Sequence, residues 1–126
     1  MSVIHTPDAP QPIGPYAQAR KAGDMLFISG QIAIDPLTSS YNPGTAQAET
    51  HQIMKNLKAV IDAAGGHFDQ VVKTSIFLHD MGDFAEVNEE YGRWFGSVFP
   101  ARETVQVSRL PKDARVEISM IVYLKT

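Results

Sequence analysis

Four stretches of the sequence alternate between apolar side chains and side chains of mixed character. They span residues 25–34, 69–80, 102–108 and 115–124. A period of two is typical of a β-strand whose two faces lie in different surroundings. The alternation therefore predicts a sheet with one apolar face and one mixed face. The mixed face carries polar residues and four large apolar ones, Phe27, Phe77, Ile121 and Tyr123.

Two further stretches have the apolar spacing of amphipathic helices. The first spans residues 45–64 and is followed by two glycines, which stop a helix. The second begins at Asp83, which resembles a capping box with Glu86, and its apolar stripe reaches Val98 before a proline ends it. At 126 residues, the chain is most simply one domain, 1–126. The prediction is an α+β fold in which two helices cover one face of a four-stranded sheet.

The mixed face of this sheet has no element of the chain left to cover it. It faces water, or it packs on another copy of the chain. Its aromatic and aliphatic members favour self-association.

Composition excludes several classes of function. The sequence has no cysteine, which rules out disulfides, thiolate nucleophiles and cysteine-bound metals. Its net charge of -3 disfavours general nucleic-acid binding, which requires clustered basic residues. Its apolar stretches are far shorter than the roughly 20 residues of a membrane helix, and the start lacks a basic segment followed by an apolar one. We therefore expect a cytoplasmic protein with no membrane or nucleic-acid partner.

The usual catalytic and metal-binding patterns are missing or weak. No two of the four histidines have the short spacing of a metal site, so no metal is expected. The pair Gly65-Gly66 lacks a following Walker lysine and comes after a helix, so we interpret it as a helix cap. No Gly-x-Ser-x-Gly motif selects a serine for a catalytic triad.

Two charged residues of the last two strands remain as candidates. With Val105 and Val107 on the apolar face, alternation puts Arg102 and Thr104 on the mixed face, and we expect Glu117 and Ser119 there too. A surface ion pair is one interpretation of Arg102. At a subunit interface, however, a desolvated guanidinium requires an anion, and its planar fork fits a carboxylate. The anion is then Glu117, or the carboxylate of a ligand.

The sequence resembles a known family in four places. The segments "IGPYAQA", "FISGQI", "DFAEVNEEY" and "FPARETVQVSRLPKDARVEI" occur in the order and spacing of the reactive-intermediate deaminase A (RidA/YjgF) family. The resemblance covers the chain from Ile13 to about Val122. It implies a chorismate-mutase-like fold, in which two helices pack on one face of a mixed sheet, assembled as a homotrimer with active sites between subunits. It also implies that the third of the four predicted strands is separated from the last by the second.

The resemblance implies a hydrolase without a cofactor. Members convert 2-imino acids, formed from enamines such as 2-aminoacrylate, to 2-oxo acids and ammonia. The residue that binds the substrate carboxylate falls on Arg102, and the acid that holds the attacking water falls on Glu117. Five further positions match residues that line the cleft: Tyr16, Ser29, Gly30, Asn88 and Thr104.

Two departures and two other functions stay open. Some relatives have cysteine in place of Thr104, and many have a second glutamate in place of Ser119, which affects the expected substrate range. Non-catalytic binding or sensing of small carboxylates is the alternative function. RNA cleavage or translation inhibition, attributed to some relatives, is disfavoured by the acidity of the chain.

Overall fold

The computed structural model describes residues 2–125, which form a six-stranded mixed sheet, a separate two-stranded pair and two α-helices. The helices are α1 (Ala46–Ala63) and α2 (Phe84–Gly92). The strands are β1 (Ser2–Ile4), β2 (Ala19–Ala22), β3 (Met25–Gln31), β4 (Ile34–Asp35), β5 (Ser40–Tyr41), β6 (Val71–Leu78), β7 (Ala101–Gln106) and β8 (Val116–Tyr123). Neither helix of this part of the chain is long and apolar enough to cross a membrane.

The large sheet has the strand order β1-β2-β3-β8-β6-β7. Strands β6 and β7 pair in parallel, and the other neighbours in the sheet pair antiparallel. A parallel pair requires a crossover connection, and α2 lies in the connection from β6 to β7. Strand β6 lies between β7 and β8, so the separation of the last two strands that the family resemblance implies is confirmed.

The core lies between the sheet and α1. The buried face of α1 includes Ile53, Met54, Leu57, Val60 and Ile61, each at most 1% exposed. Its first turn is capped by the Thr45 side chain, which accepts a hydrogen bond from the backbone N–H of Ala48. The chain leaves the helix through Gly65, whose φ of +79° is favourable for glycine. The helix predicted over 45–64 is confirmed.

The second helix is shorter than its apolar stripe predicts. It ends at Gly92, and Val98 is 64% exposed. The predicted capping box is wrong: the Asp83 side chain makes no cap hydrogen bond, and Glu86 Oε1 accepts from the backbone N–H of Gln47 on α1. Glu86 therefore connects α2 to α1 and does not cap the N-terminus of α2.

Two strands at the beginning of the chain were not predicted. Strands β1 and β2 extend the sheet beyond β3, so the sheet has six strands where four were expected. Both are too short for a period of two to be recognisable. The irregular arm between them is fastened by the buried Gln18, whose side chain donates to the carbonyls of Thr6 and Pro10.

A buried carboxylate connects α1 to the beginning of β8. Glu49 is 1% exposed and accepts a hydrogen bond from Tyr41 Oη at 2.7 Å and another from the backbone N–H of Arg115 at 3.0 Å. Burial, together with the bonded carboxylate, raises the pKa of Tyr41 to about 12. The phenol therefore remains a donor at neutral pH.

Glu49→Ala is expected to lower the free energy of unfolding by about 2–4 kcal/mol, because it leaves two donors without their acceptor. Urea unfolding measures this loss. The matched control is Glu89→Ala, which removes an exposed carboxylate paired with Arg93 and is expected to change stability by less than about 0.5 kcal/mol. Equal losses in the two variants would contradict a supporting role for Glu49.

Candidate functional site

Arg102 lies on β7 beside the helix layer. It pairs in register with Thr74 of β6, which is fully buried under the helices, and paired residues of neighbouring strands project to the same face. Its guanidinium carbon lies 5.2 Å from the centroid of the Tyr91 ring and 5.7 Å from that of Phe84. Arg102 and Asn88 line a cleft of about 320 Å³ together with Tyr91, Gly92, Phe99 and Pro100. The cleft therefore presents a cation beside an amide.

The Arg102 guanidinium has no ion pair and no hydrogen bond with any of residues 2–125. By contrast, Arg93, Arg109 and Arg115 each lie within 4 Å of a carboxylate. The donors of Arg102 are thus available to a bound anion. An arginine fork binds a planar carboxylate with two parallel hydrogen bonds.

Glu117 lies on β8 in a second, smaller pocket of about 60 Å³, lined also by Tyr16, Gly30, Ile34 and Pro111. The carboxylate packs directly on Gly30, where a Cβ atom would come within 2.8 Å of Glu117 Cδ. A register shift between Ile28 and Gln31 places this glycine there. Burial raises the pKa of Glu117 above the usual range of a glutamate. A carboxylate with a raised pKa is a stronger proton acceptor than an ordinary glutamate.

Ser29 of β3 is not among the residues that line this pocket, but it contacts the arm that carries Tyr16. Its hydroxyl donates a hydrogen bond of 2.6 Å to the carbonyl oxygen of Ala17, next to Tyr16. This bond fastens the end of the irregular arm to β3. Ser29 therefore fixes the segment that carries Tyr16 in the pocket.

Comparison with known proteins identifies the family. The family model described as "Endoribonuclease L-PSP" matches residues 6–124. A RutC family protein of Pyrococcus horikoshii is 51% identical over 96% of both chains. A protein of Dermatophagoides farinae named 2-iminobutanoate/2-iminopropanoate deaminase is 45% identical over 98% of this chain and 96% of its own. The chain belongs to the RidA/YjgF family. Escherichia coli TdcF, solved with bound serine, has a TM-score of 0.94 at 38% identity and covers 100% of both chains.

Five of the seven residues predicted from the RidA/YjgF resemblance fall into two groups within one protomer, and Ser29 and Thr104 line neither cavity. Arg102 and Asn88 share the cleft beside α2. Tyr16, Gly30 and Glu117 share the pocket on β8. A wider cleft of about 440 Å³, lined by residues including Lys55, Lys58 and Trp94, contains none of the predicted residues.

The expectation that Arg102 and Glu117 share a face of the sheet is wrong. On β6, Thr74 pairs with Arg102 and Phe77 with Glu117, and residues an odd number of positions apart on a strand point to opposite faces. They also lie two strands apart, about 10 Å, and three residues apart along β6, again about 10 Å. One protomer cannot bring both groups to one small molecule.

Thr104 lies with Arg102 on the face of the sheet that packs against the helices. Ser119 lies with Glu117 on the opposite face, which we call the open face. Thr104 pairs with Ile76, and Ser119 pairs with Ser75. The Thr104 hydroxyl oxygen is buried, and among the residues that the structure describes it has no hydrogen-bond partner. Thr104 lies two residues from Arg102 on the same face, and it is not among the residues that line the cleft around Arg102.

Phe84 and Tyr91 were missed as site residues. Their position on the apolar stripe of a helix predicted core packing, and Tyr91 is indeed buried. The strand order and the parallel register of β6 and β7 bring Arg102 under these two rings. No spacing in the sequence carries that information.

Proposed function

We propose that this RidA/YjgF-family protein hydrolyses reactive 2-imino acids to 2-oxo acids and ammonia. The observation that carries the proposal is the guanidinium of Arg102, which faces a cleft where none of the described lining residues carries a carboxylate. A 2-imino acid supplies that carboxylate and places its electrophilic carbon at a fixed distance from it. The relative named 2-iminobutanoate/2-iminopropanoate deaminase, similar over nearly the whole chain, supports this substrate class.

The reaction needs a positioned water more than a strong nucleophile, because the carbon of a protonated imine is already electrophilic. Arg102 binds the substrate carboxylate, and Glu117 accepts a proton as the water oxygen bonds to that carbon. The resulting carbinolamine takes a proton on nitrogen, loses its hydroxyl proton and breaks the C–N bond. Ammonia and a 2-oxo acid leave, and no redox step or cofactor is needed.

The complete site is proposed to form between two copies of the chain, with Arg102 from one and Glu117 from the other. The separation of these residues within one protomer requires such an arrangement if both act on one substrate. The open face of the sheet supports it, because Phe27, Val105 and Tyr123 are each more than 40% exposed there. A homotrimer is the proposed assembly.

The direct test generates 2-iminobutanoate with a threonine dehydratase and follows its conversion to 2-oxobutanoate with and without this protein. Faster loss of the imine with the purified protein is expected. Because the imine also decays spontaneously, an equal rate in both reactions would overturn the enzymatic proposal. Light scattering of the same sample measures whether the protein is a trimer.

Gly30→Ala is expected to lower kcat/KM for the imine about tenfold, because the new methyl group displaces the Glu117 carboxylate. The rate assay with 2-iminobutanoate measures this effect. The matched control is Gly96→Ala, where a Cβ atom meets nothing within 4 Å. Wild-type kinetics in Gly30→Ala would show that the placement of Glu117 over this glycine is unimportant.

A further inference from the structure

The Arg102 guanidinium is held by two aromatic rings rather than by an acidic side chain. The Tyr91 and Phe84 centroids lie 5.2 Å and 5.7 Å from its central carbon. We propose that Phe84 and Tyr91 are positioning residues, which hold the guanidinium ready for a carboxylate and make the site select carboxylates over neutral ligands. This inference rests on the proposed role of Arg102 in substrate binding.

The chemistry of the guanidinium explains why rings suit this role. Its five N–H donors lie in the plane of the group, and its two faces carry none. A carboxylate partner from the protein would occupy those in-plane donors and compete with the substrate. Aromatic rings attract the cation through their π-electrons and leave donors available.

Holding the side chain also reduces the cost of binding. A long arginine side chain has many rotamers, and restricting them when the ligand arrives weakens affinity. Contacts with two rings restrict the side chain beforehand. The carboxylate of the ligand then meets a fork that is already in place.

The Tyr91 ring is itself fixed. Tyr91 is 4% exposed, and its hydroxyl donates a hydrogen bond of 3.0 Å to Thr74 Oγ1. The centroid of its ring lies 4.8 Å from that of the Phe95 ring. Burial raises the pKa of Tyr91, so the phenol stays neutral and keeps this hydrogen bond. Phe84, the first residue of α2, is 37% exposed, so its substitution costs little core packing.

Besides Glu86, a buried glutamate attaches α2 to α1, and it provides a control. Glu90 is 5% exposed and accepts hydrogen bonds from Trp94 Nε1 at 2.9 Å and Arg93 at 3.1 Å, and it lies 3.0 Å from His51 Nδ1 on α1. Glu90→Gln disturbs this contact between the helices. It removes neither of the rings beside Arg102.

The test compares the affinities of two ligands of the same shape, 2-oxobutanoate and the neutral 2-oxobutanamide, by isothermal titration calorimetry. Phe84→Leu and Tyr91→Leu are each expected to weaken 2-oxobutanoate binding about threefold to tenfold and to leave amide binding unchanged. Tyr91→Phe, which keeps the ring, is expected to retain most of the carboxylate affinity. Glu90→Gln is expected to lower the melting temperature without changing the preference for the carboxylate.

The inference would be overturned if the leucine variants bound both ligands equally more weakly, or if Glu90→Gln changed the preference for the carboxylate by the same factor. Either result would mean that the effect comes from general packing. If Tyr91→Leu fails to fold, Phe84→Leu decides the outcome by itself. Wild-type affinities in the leucine variants, combined with weak carboxylate binding in Arg102→Ala, would overturn this inference alone. Equal carboxylate affinity in wild type and Arg102→Ala would overturn the proposed function as well.

Discussion

Arg102→Ala is expected to lower kcat/KM for 2-iminobutanoate by about two to four orders of magnitude. The guanidinium can make two charge-assisted hydrogen bonds to the substrate carboxylate, each contributing about 1.5–3 kcal/mol. Their loss removes both affinity and orientation, because the carboxylate fixes the imine carbon relative to the water. The measurement is the initial rate of imine loss at several concentrations of the variant protein.

Arg102→Lys tests whether the planar fork matters beyond its charge. Lysine keeps the charge but offers one ammonium in place of the fork, so we expect an intermediate rate. Arg93→Ala is the matched control, because Arg93 is also an arginine of the α2 region but pairs with Glu89 and Glu90. An Arg102→Ala rate equal to that of Arg93→Ala would exclude a role for Arg102 in the reaction.

The same variant separates the proposed enzyme from its rivals. Saturable binding of 2-oxobutanoate without any imine turnover would make the protein a carboxylate binder. Cleavage of RNA by the purified protein, unchanged in Arg102→Ala, would show a second site unrelated to this cleft. A net charge of -3 makes the RNA outcome unexpected.

Apolar spacing predicted the elements with a continuous buried stripe. The helix over 45–64 was predictable because five of its large apolar residues are almost completely buried and lie at three- and four-residue steps. The alternation in β6 and β8 is equally clear, because both lie inside the sheet and have one face under the helices. The order of the strands came from the family resemblance and not from the pattern.

The pattern failed at β7 because this strand lies at the edge of the sheet. Val105 is 42% exposed on the open face, and the polar residues Arg102 and Thr104 occupy the helix side. Alternation shows that two sets of side chains lie on opposite faces, and it does not show which set is in the core. In an edge strand the more apolar set of side chains can face away from the core. For this reason the alternation predicted the wrong face of the sheet for Arg102.

The candidate site was predictable as a list of residues and not as an arrangement. The register of β6 with its two neighbours separates Arg102 from Glu117, and no local sequence signal reports such a register. Stabilising contacts over long sequence separations, such as Glu49 with the backbone of Arg115, were missed for the same reason.

Glu117→Gln is expected to lower kcat for 2-iminobutanoate about a hundredfold or more, because an amide cannot accept the proton of the attacking water. Wild-type activity should rise with pH as the carboxyl group ionises, and the midpoint should lie above the usual pKa of a glutamate because burial raises it. The variant should lack this rise. Rates measured across the pH range, with Glu103→Gln on the open face as a control, test both expectations.

Although Glu117→Gln is expected to lose activity, it is expected to gain stability at neutral pH. Because the pKa of Glu117 is raised in the folded state, ionisation disfavours folding. The wild type therefore loses free energy of unfolding as the pH rises from below the unfolded-state pKa through the folded-state value. Glu117→Gln avoids that loss, so its melting temperature should exceed that of the wild type at neutral pH, and the difference should shrink in acid. The contrary result is a Glu117→Gln melting temperature that falls below that of the wild type at neutral pH but not in acid. It would show that the fold stabilises the Glu117 carboxylate, which would then be poorly suited to accept a proton.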